Sequence, residues 1–129
     1  MATVLVADDD RNTRLLVRTV LEHAGHTVLE AKDGGEALEL AAAHDPDLIL
    51  LDLSMPSMSG PDFLRMLRSE PRSKATPVVL YTATGMNAAL RDFMEIYAIH
   101  DVIPKPSEPA ELLAAVQRVL ARAQSEPAK

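Results

Sequence analysis

Short aliphatic runs and longer segments of helical period alternate along this chain without a break. Thr3–Ala7, His26–Glu30, Leu48–Leu51, Val78–Tyr81 and Asp101–Ile103 read as strands. Several are continuously apolar, the pattern of strands buried on both faces of a sheet. Between them, Leu15, Leu16, Val20 and Leu21, then Ala37, Leu38, Leu40 and Ala41, fall at helical spacing on one stripe each. Phe63, Leu64 and Leu67 form a third stripe, Leu90, Phe93 and Met94 a fourth, and Leu112, Leu113, Val116, Val119 and Leu120 a fifth. Five β–α units in strict alternation predict an α/β fold, a five-stranded parallel sheet with five helices on both faces.

The punctuation agrees with that division. Gly25 stands where the first helix should stop. Asp33 and Glu36 have capping-box spacing ahead of the second helix. Ser59 with Pro61 and Asp62 opens the third, and Ser107 with Pro109 opens the fifth. A length of 129 residues suits one domain, placed at residues 1–122, with 123–129 as a polar tail or the start of a linker. Cysteine is absent, which excludes disulfides and thiolate metal sites. With 13 basic against 19 acidic residues the net charge is −6, which disfavours direct nucleic-acid binding by this chain. No basic leader precedes the first apolar run, and no run approaches the roughly 18 apolar residues of a spanning helix. The expectation is a cytoplasmic chain without membrane contact.

In an open parallel sheet the functional crevice lies beyond the carboxyl ends of the strands. The first strand ends in Asp8-Asp9, the third in Asp52 and the fourth in Thr82, and the fifth runs into Lys105. Three carboxylates gathered at one edge repel one another unless a cation intervenes. Such an oxygen donor set suits Mg²⁺, which is held by one or two carboxylates and keeps several waters. Lys105 and Thr82 offer a charge and a hydrogen bond to an anion beside the metal, a combination that fits phosphoryl chemistry.

Val4-Leu5-Val6-Ala7-Asp8-Asp9, Leu48 to Pro56 with Gly60, Tyr81-Thr82-Ala83 and Lys105-Pro106 resemble, in that order, the response-regulator receiver domain. This is the CheY-like module of two-component signalling, and Asp33 to Leu38 is similar to the family's entry to its second helix. The resemblance implies a (βα)5, flavodoxin-like fold and a phosphoprotein in a phosphorelay. It makes Asp52 the phosphoacceptor, taking a phosphoryl group from a sensor histidine kinase or a phosphotransfer protein. Asp8, Asp9, Asp52 and the backbone carbonyl of Ser54 would bind Mg²⁺. Thr82 and Lys105 would bond phosphoryl oxygens, the Lys105-Pro106 peptide would be cis, and Asp10 would start the first helix. The chain would not be an enzyme beyond weak autodephosphorylation, and it would switch its surface for a downstream effector protein.

Some positions depart from the family pattern. Val102 stands where the family usually has Tyr or Phe as a rotameric switch, Ser107 where it often has Phe, and Pro104 removes a donor at the end of the fifth strand. An alternative is a Mg²⁺-dependent phosphohydrolase of haloacid-dehalogenase type, but that chemistry wants a second Asp where this chain has Ser54. A flavodoxin-like cofactor binder would need a phosphate-cradling loop where Asp8-Asp9-Asp10 would repel the phosphate. His23, His26, His44 and His100 show no metal spacing and read as surface or helix-end residues. Met55, Met58, Met66, Met86 and Met94 read as gap-filling contacts. Arg65, Arg68, Arg72 and Lys74 give the third helix and its exit a basic face, either merely solvated or a docking surface.

Overall fold

The computed structural model describes residues 2–55, 58–83, 85–99 and 101–125. The elements are β1 (Thr3–Ala7), α1 (Arg11–His23), β2 (Thr27–Ala31), α2 (Gly34–His44), β3 (Leu48–Leu51), α3 (Gly60–Ser69), β4 (Val78–Thr82), α4 (Ala88–Ile96), β5 (Asp101–Pro104) and α5 (Pro109–Ser125). The strands form one sheet in the order β2-β1-β3-β4-β5, and every adjacent pair is parallel. This is the α/β fold expected from the alternation.

Both sheet faces are buried. On one, Val4, Val6, Leu48, Leu50, Val79 and Tyr81 pack with Val17 and Leu21 of α1 and Leu112, Val116 and Val119 of α5. On the other, Leu5, Ile49, Leu51 and Leu80 pack with Ala37 of α2, Phe63, Leu64 and Leu67 of α3, and Leu90 of α4. The alternation of side chains along each strand produces the two cores.

The element ends follow local chemistry. Asp10 caps α1, its carboxylate accepting from the Asn12 N–H at 3.1 Å and the Thr13 hydroxyl at 2.9 Å. Gly25, with φ of 96°, turns the chain after α1. Asp33 accepts from Glu36 N–H at 2.8 Å, and the Glu36 carboxylate reaches back to Lys32 N–H at 3.1 Å. Ser59 caps α3 through Asp62 N–H at 3.2 Å. Asn87 caps α4 through Leu90 N–H at 2.8 Å.

Several details differ from expectation, among them Met66 and Met86, which are 45% and 50% exposed instead of filling gaps in the core. Strand β2 lies one residue later than His26–Glu30, because the His26 N–H bonds Leu21 O in the turn after α1 and pairing with β1 starts at Thr3 opposite Thr27. Strands β4 and β5 each run one residue further, pairing Thr82 with Pro104. On α1 the buried residues are Val17 and Leu21, while Leu15 is 57% exposed. The last helix opens on Glu108, whose carbonyl accepts from Leu112 N–H at 3.1 Å, and the buried Ser107 hydroxyl has no partner among the described residues.

Candidate functional site

The order of strands reverses direction between β1 and β3, so the ends of these two strands flank the switch point of the sheet. The parallel ladder continues one residue past both strands. Asp8 N–H bonds Ala31 O at 3.0 Å, and Asp52 N–H bonds Ala7 O at 3.0 Å. That shared ladder fixes the two carboxylates side by side. Asp8 is 1% exposed and Asp52 7%, whereas Asp9 is exposed. One oxygen from each of Asp8, Asp9 and Asp52 lies within 4.8 Å of the others.

Lys105, just past β5, reaches into this cluster. Its Nζ lies 2.5 Å from Asp8 Oδ2 and 3.2 Å from Asp52 Oδ2. The other oxygens are held by the backbone, Asp8 Oδ1 accepting from Asp10 N–H at 2.9 Å and Asp52 Oδ1 from Ser54 N–H at 3.1 Å. Each buried carboxylate thus has one oxygen on an amide and one on the ammonium. Burial pushes the Asp8 carboxyl above its ordinary value, with repulsion from Asp52 adding to it, against the lowering by Lys105 and the Asp10 amide. Burial works against the charge on Lys105 too, but the hydrogen bond and attraction from Asp8, with Asp52 in support, raise it overall. The same Nζ sits 5.3 Å from the centre of the Tyr81 ring, a cation–π distance.

Thr82 is buried at the end of β4, and its carbonyl accepts from Lys105 N–H at 3.0 Å. The Lys105–Pro106 peptide is cis, as the resemblance implies. Ser54 sits exposed in the turn after β3, while Pro56 of the same motif lies outside the described residues. Val102 is half-buried against the core of α2, α3 and α4. Asp10 belongs to the helix start, where the Thr13 and Asn12 hydrogen bonds hold its carboxyl below the ordinary value. Among the histidines, His26 accepts from Ala2 N–H at 3.2 Å, His23 and His44 end α1 and α2, and His100 lies outside the described residues.

Arg14 also contributes to the site, through the backbone. Its Nη1 donates to the Asp8 carbonyl at 2.8 Å and its Nε to Glu30 at 3.2 Å, tying α1 and β2 to the backbone of the acid pair. An arginine one turn into α1 carries no signal of that role in sequence.

The donor set is hard oxygen throughout, clustered and partly buried, and an ammonium already lies between two of its members. Residues of this kind fit a small divalent cation such as Mg²⁺ better than a soft metal.

A doubly wound parallel sheet with three carboxylates and a lysine at its switch point is an α/β fold whose site suits a cation and an anion held side by side. The chain belongs to the response regulator receiver domain family, whose model matches residues 4–117. Protein PilH of Pseudomonas aeruginosa is 31% identical over 121 residues, which cover 94% of this chain and 99% of PilH. Transcriptional regulatory protein ResD of Bacillus subtilis is 38% identical over 120 residues, 93% of this chain and 48% of ResD. Among solved structures, the chemotaxis response regulator CheY4 of Vibrio cholerae superposes with a TM-score of 0.86 at 34% identity, covering 92% of this chain and 98% of that one. The chain spans about half the length of ResD and of transcriptional regulatory protein CpxR of Escherichia coli, and nearly all of PilH. The family is a signalling module of two-component systems, and receiver domains typically bind Mg²⁺ at an acidic pocket. No helix among the described residues is long and apolar enough to cross a membrane.

Proposed function

We propose that this receiver accepts a phosphoryl group on Asp52 from a phosphohistidine of a sensor histidine kinase or phosphotransfer protein. The observation that carries the reading is the acid cluster itself, Asp8, Asp9 and Asp52 within 4.8 Å, bridged by Lys105. In the transfer, an Asp52 carboxylate oxygen forms a bond to phosphorus, the P–N bond breaks, and its electron pair stays on the histidine nitrogen. Asp8, Asp9, Asp52 and the Ser54 carbonyl would hold Mg²⁺, which neutralises charge on the transferring group. Lys105 pairs with one phosphoryl oxygen and Thr82 donates to another. The phosphoryl group adds about −1.5 to −2 charge, drawing Thr82 and its loop inward and altering the surface of α4, β5 and α5. With Val102 in the place of an aromatic residue, that change proceeds without the swing of a ring.

Under this reading the chain is a cytoplasmic switch with at most weak autodephosphorylation, acting on an effector protein and not on nucleic acid or membrane. The receiver unit is residues 1–122 with 123–129 as tail or linker, and α5 continues into that stretch as far as Ser125. Nothing favours the phosphohydrolase alternative, since Ser54 occupies the position its general acid would need.

Intact-protein mass after incubation with a small-molecule phosphodonor tests the reading. A single phosphoryl adduct is expected with Mg²⁺, absent without it and absent in Asp52→Asn. An adduct retained in Asp52→Asn, or none in the wild type, overturns the assignment.

A further inference from the structure

The ends of α3 and α4 and the turn after each enclose an open groove of about 420 Å³, lined by Arg65, Arg68, Lys74, Ile96, Tyr97 and Ala98. Helices in an alternating fold run against their strands, so these helix ends lie at the sheet edge opposite Asp52. The groove is therefore separate from the acid cluster and from its chemistry.

Its charge is unusual for a chain of net −6. Among the described residues three cations line it and no carboxylate does. Arg65 pairs with Asp62 at 3.2 Å, both side chains well exposed. Arg68 is half-buried and, among the described residues, donates to carbonyls alone, from Nε to Tyr97 O at 3.3 Å and from Nη1 to Ser73 O at 3.1 Å and Thr76 O at 2.7 Å. Among the described residues no carboxylate reaches ion-pair distance of Arg68 or Lys74. Carbonyl partners satisfy hydrogen bonds but leave the guanidinium charge uncompensated. Beside these cations Ile96 is 72% exposed, the largest exposure of any large apolar residue described. Ala98 holds a left-handed backbone with φ of 57°, a conformation costly for alanine.

We propose that this groove docks an acidic amphipathic segment of a partner protein, with carboxylates on Lys74 and Arg68 and an apolar side chain against Ile96 and Tyr97. An apolar anchor ringed by complementary charge is the composition of a peptide-docking site. Three cations on a chain of net −6 are too few for nucleic acid or an anionic membrane. The rigid carbonyl bonds of Arg68 present the groove already formed, so the partner bears most of the ordering cost. Docking here would leave the Asp52 edge free for phosphotransfer.

Amide shifts of the labelled full chain, titrated with a capped synthetic peptide of Leu-Glu-Glu-Leu repeats, test this. Shifts are expected to cluster at residues 65–76 and 95–99 and to weaken as salt rises, because exposed charges are screened. Lys74→Glu combined with Ile96→Asp should weaken binding about tenfold or more. Both positions are exposed, and unchanged shifts elsewhere would show the variant folded. A peptide with Lys in place of Glu should not bind. Equal binding of the two peptides, shifts confined to another face, no shifts at all, or shifts that follow protein concentration without peptide would each overturn the proposal.

Discussion

Arg14 holds the backbone of Asp8 rather than its side chain, donating from Nη1 to the Asp8 carbonyl at 2.8 Å while Nε bonds Glu30 at 3.2 Å. The Asp8–Asp9 peptide is thereby fixed from below, and the acid pair inherits the rigidity of α1 and β2. Replacing Arg14 with Met keeps the apolar stem and removes both bonds. The variant should lose about 1–3 kcal/mol of stability in urea unfolding. Mg²⁺ titration followed at the Asp8 and Asp9 amides should show a severalfold weaker midpoint. An unchanged midpoint would mean that the carbonyl contact is purely structural.

Lys105 and a bound cation would compete for the same oxygens. Lys105→Ala leaves Asp8 buried beside Asp52 without the ammonium that now bridges them. In the presence of a chelator the variant should be less stable by about 1–3 kcal/mol. Mg²⁺ should then raise its Tm more than that of the wild type, because the cation binds the folded state and meets less competition. Equal Mg²⁺-induced rises in Tm would refute the competition.

Asp10 is a cap whose carboxyl is held low by the Thr13 hydroxyl and the Asn12 amide. A carboxyl lowered by folding contributes stability that is complete above its unfolded value, near 3.8, and is lost as pH falls through the lower folded value. Asp10→Asn keeps a capping oxygen but does not titrate. Wild type should therefore be the more stable of the two at neutral pH, and the gap should close on acidification below that value. Denaturant midpoints at the two pH values decide it, and a gap that widens in acid would contradict the sign.

Ala98 closes α4 in a position that glycine normally fills. Its N–H bonds Glu95 O at 3.3 Å and the next amide, of Ile99, bonds Met94 O at 2.8 Å, the paired bonds of a left-handed helix stop. Ala98→Gly should relieve the steric cost of the left-handed region and stabilise the fold by roughly 0.5–1 kcal/mol. A loss of stability in thermal or urea unfolding would show that the methyl group has a packing role that outweighs the strain.

Much of the fold and the acid cluster was legible because each rests on a signal confined to a few neighbouring residues. Val4 to Asp9 and Leu48 to Asp52 announce both a buried strand and the carboxylate that ends it, and parallel pairing then brings the two ends together. Gly25, Asp33 and Ser59 speak for their own turns. What escaped depends on partners distant in sequence or on rotation by less than a turn. Leu15 and Val17 are both apolar, and only the seating of α1 on the sheet decides which is buried. The bond of His26 to Leu21, which delays β2 by one residue, belongs to a turn and leaves no periodicity. Arg14 looks like any surface arginine until α1 is laid across β1. Lys105 is marked by its motif, but its contact with the Tyr81 ring follows from the path of β5 beside β4.

The end of β5 bears on how copies of this protein can meet. Lys105 N–H points inward to Thr82, so by the two-residue alternation the amide position of Pro104 points away from β4, toward the outer rim of the sheet. Proline has no hydrogen there, and the outermost strand is only 4 residues long. A stray strand arriving at that rim finds a missing rung and little length to zip along, which is how sheet proteins resist edge-to-edge aggregation. Self-association through continuation of the sheet is thus discouraged on the β5 side, and contacts there are left to helices and side chains.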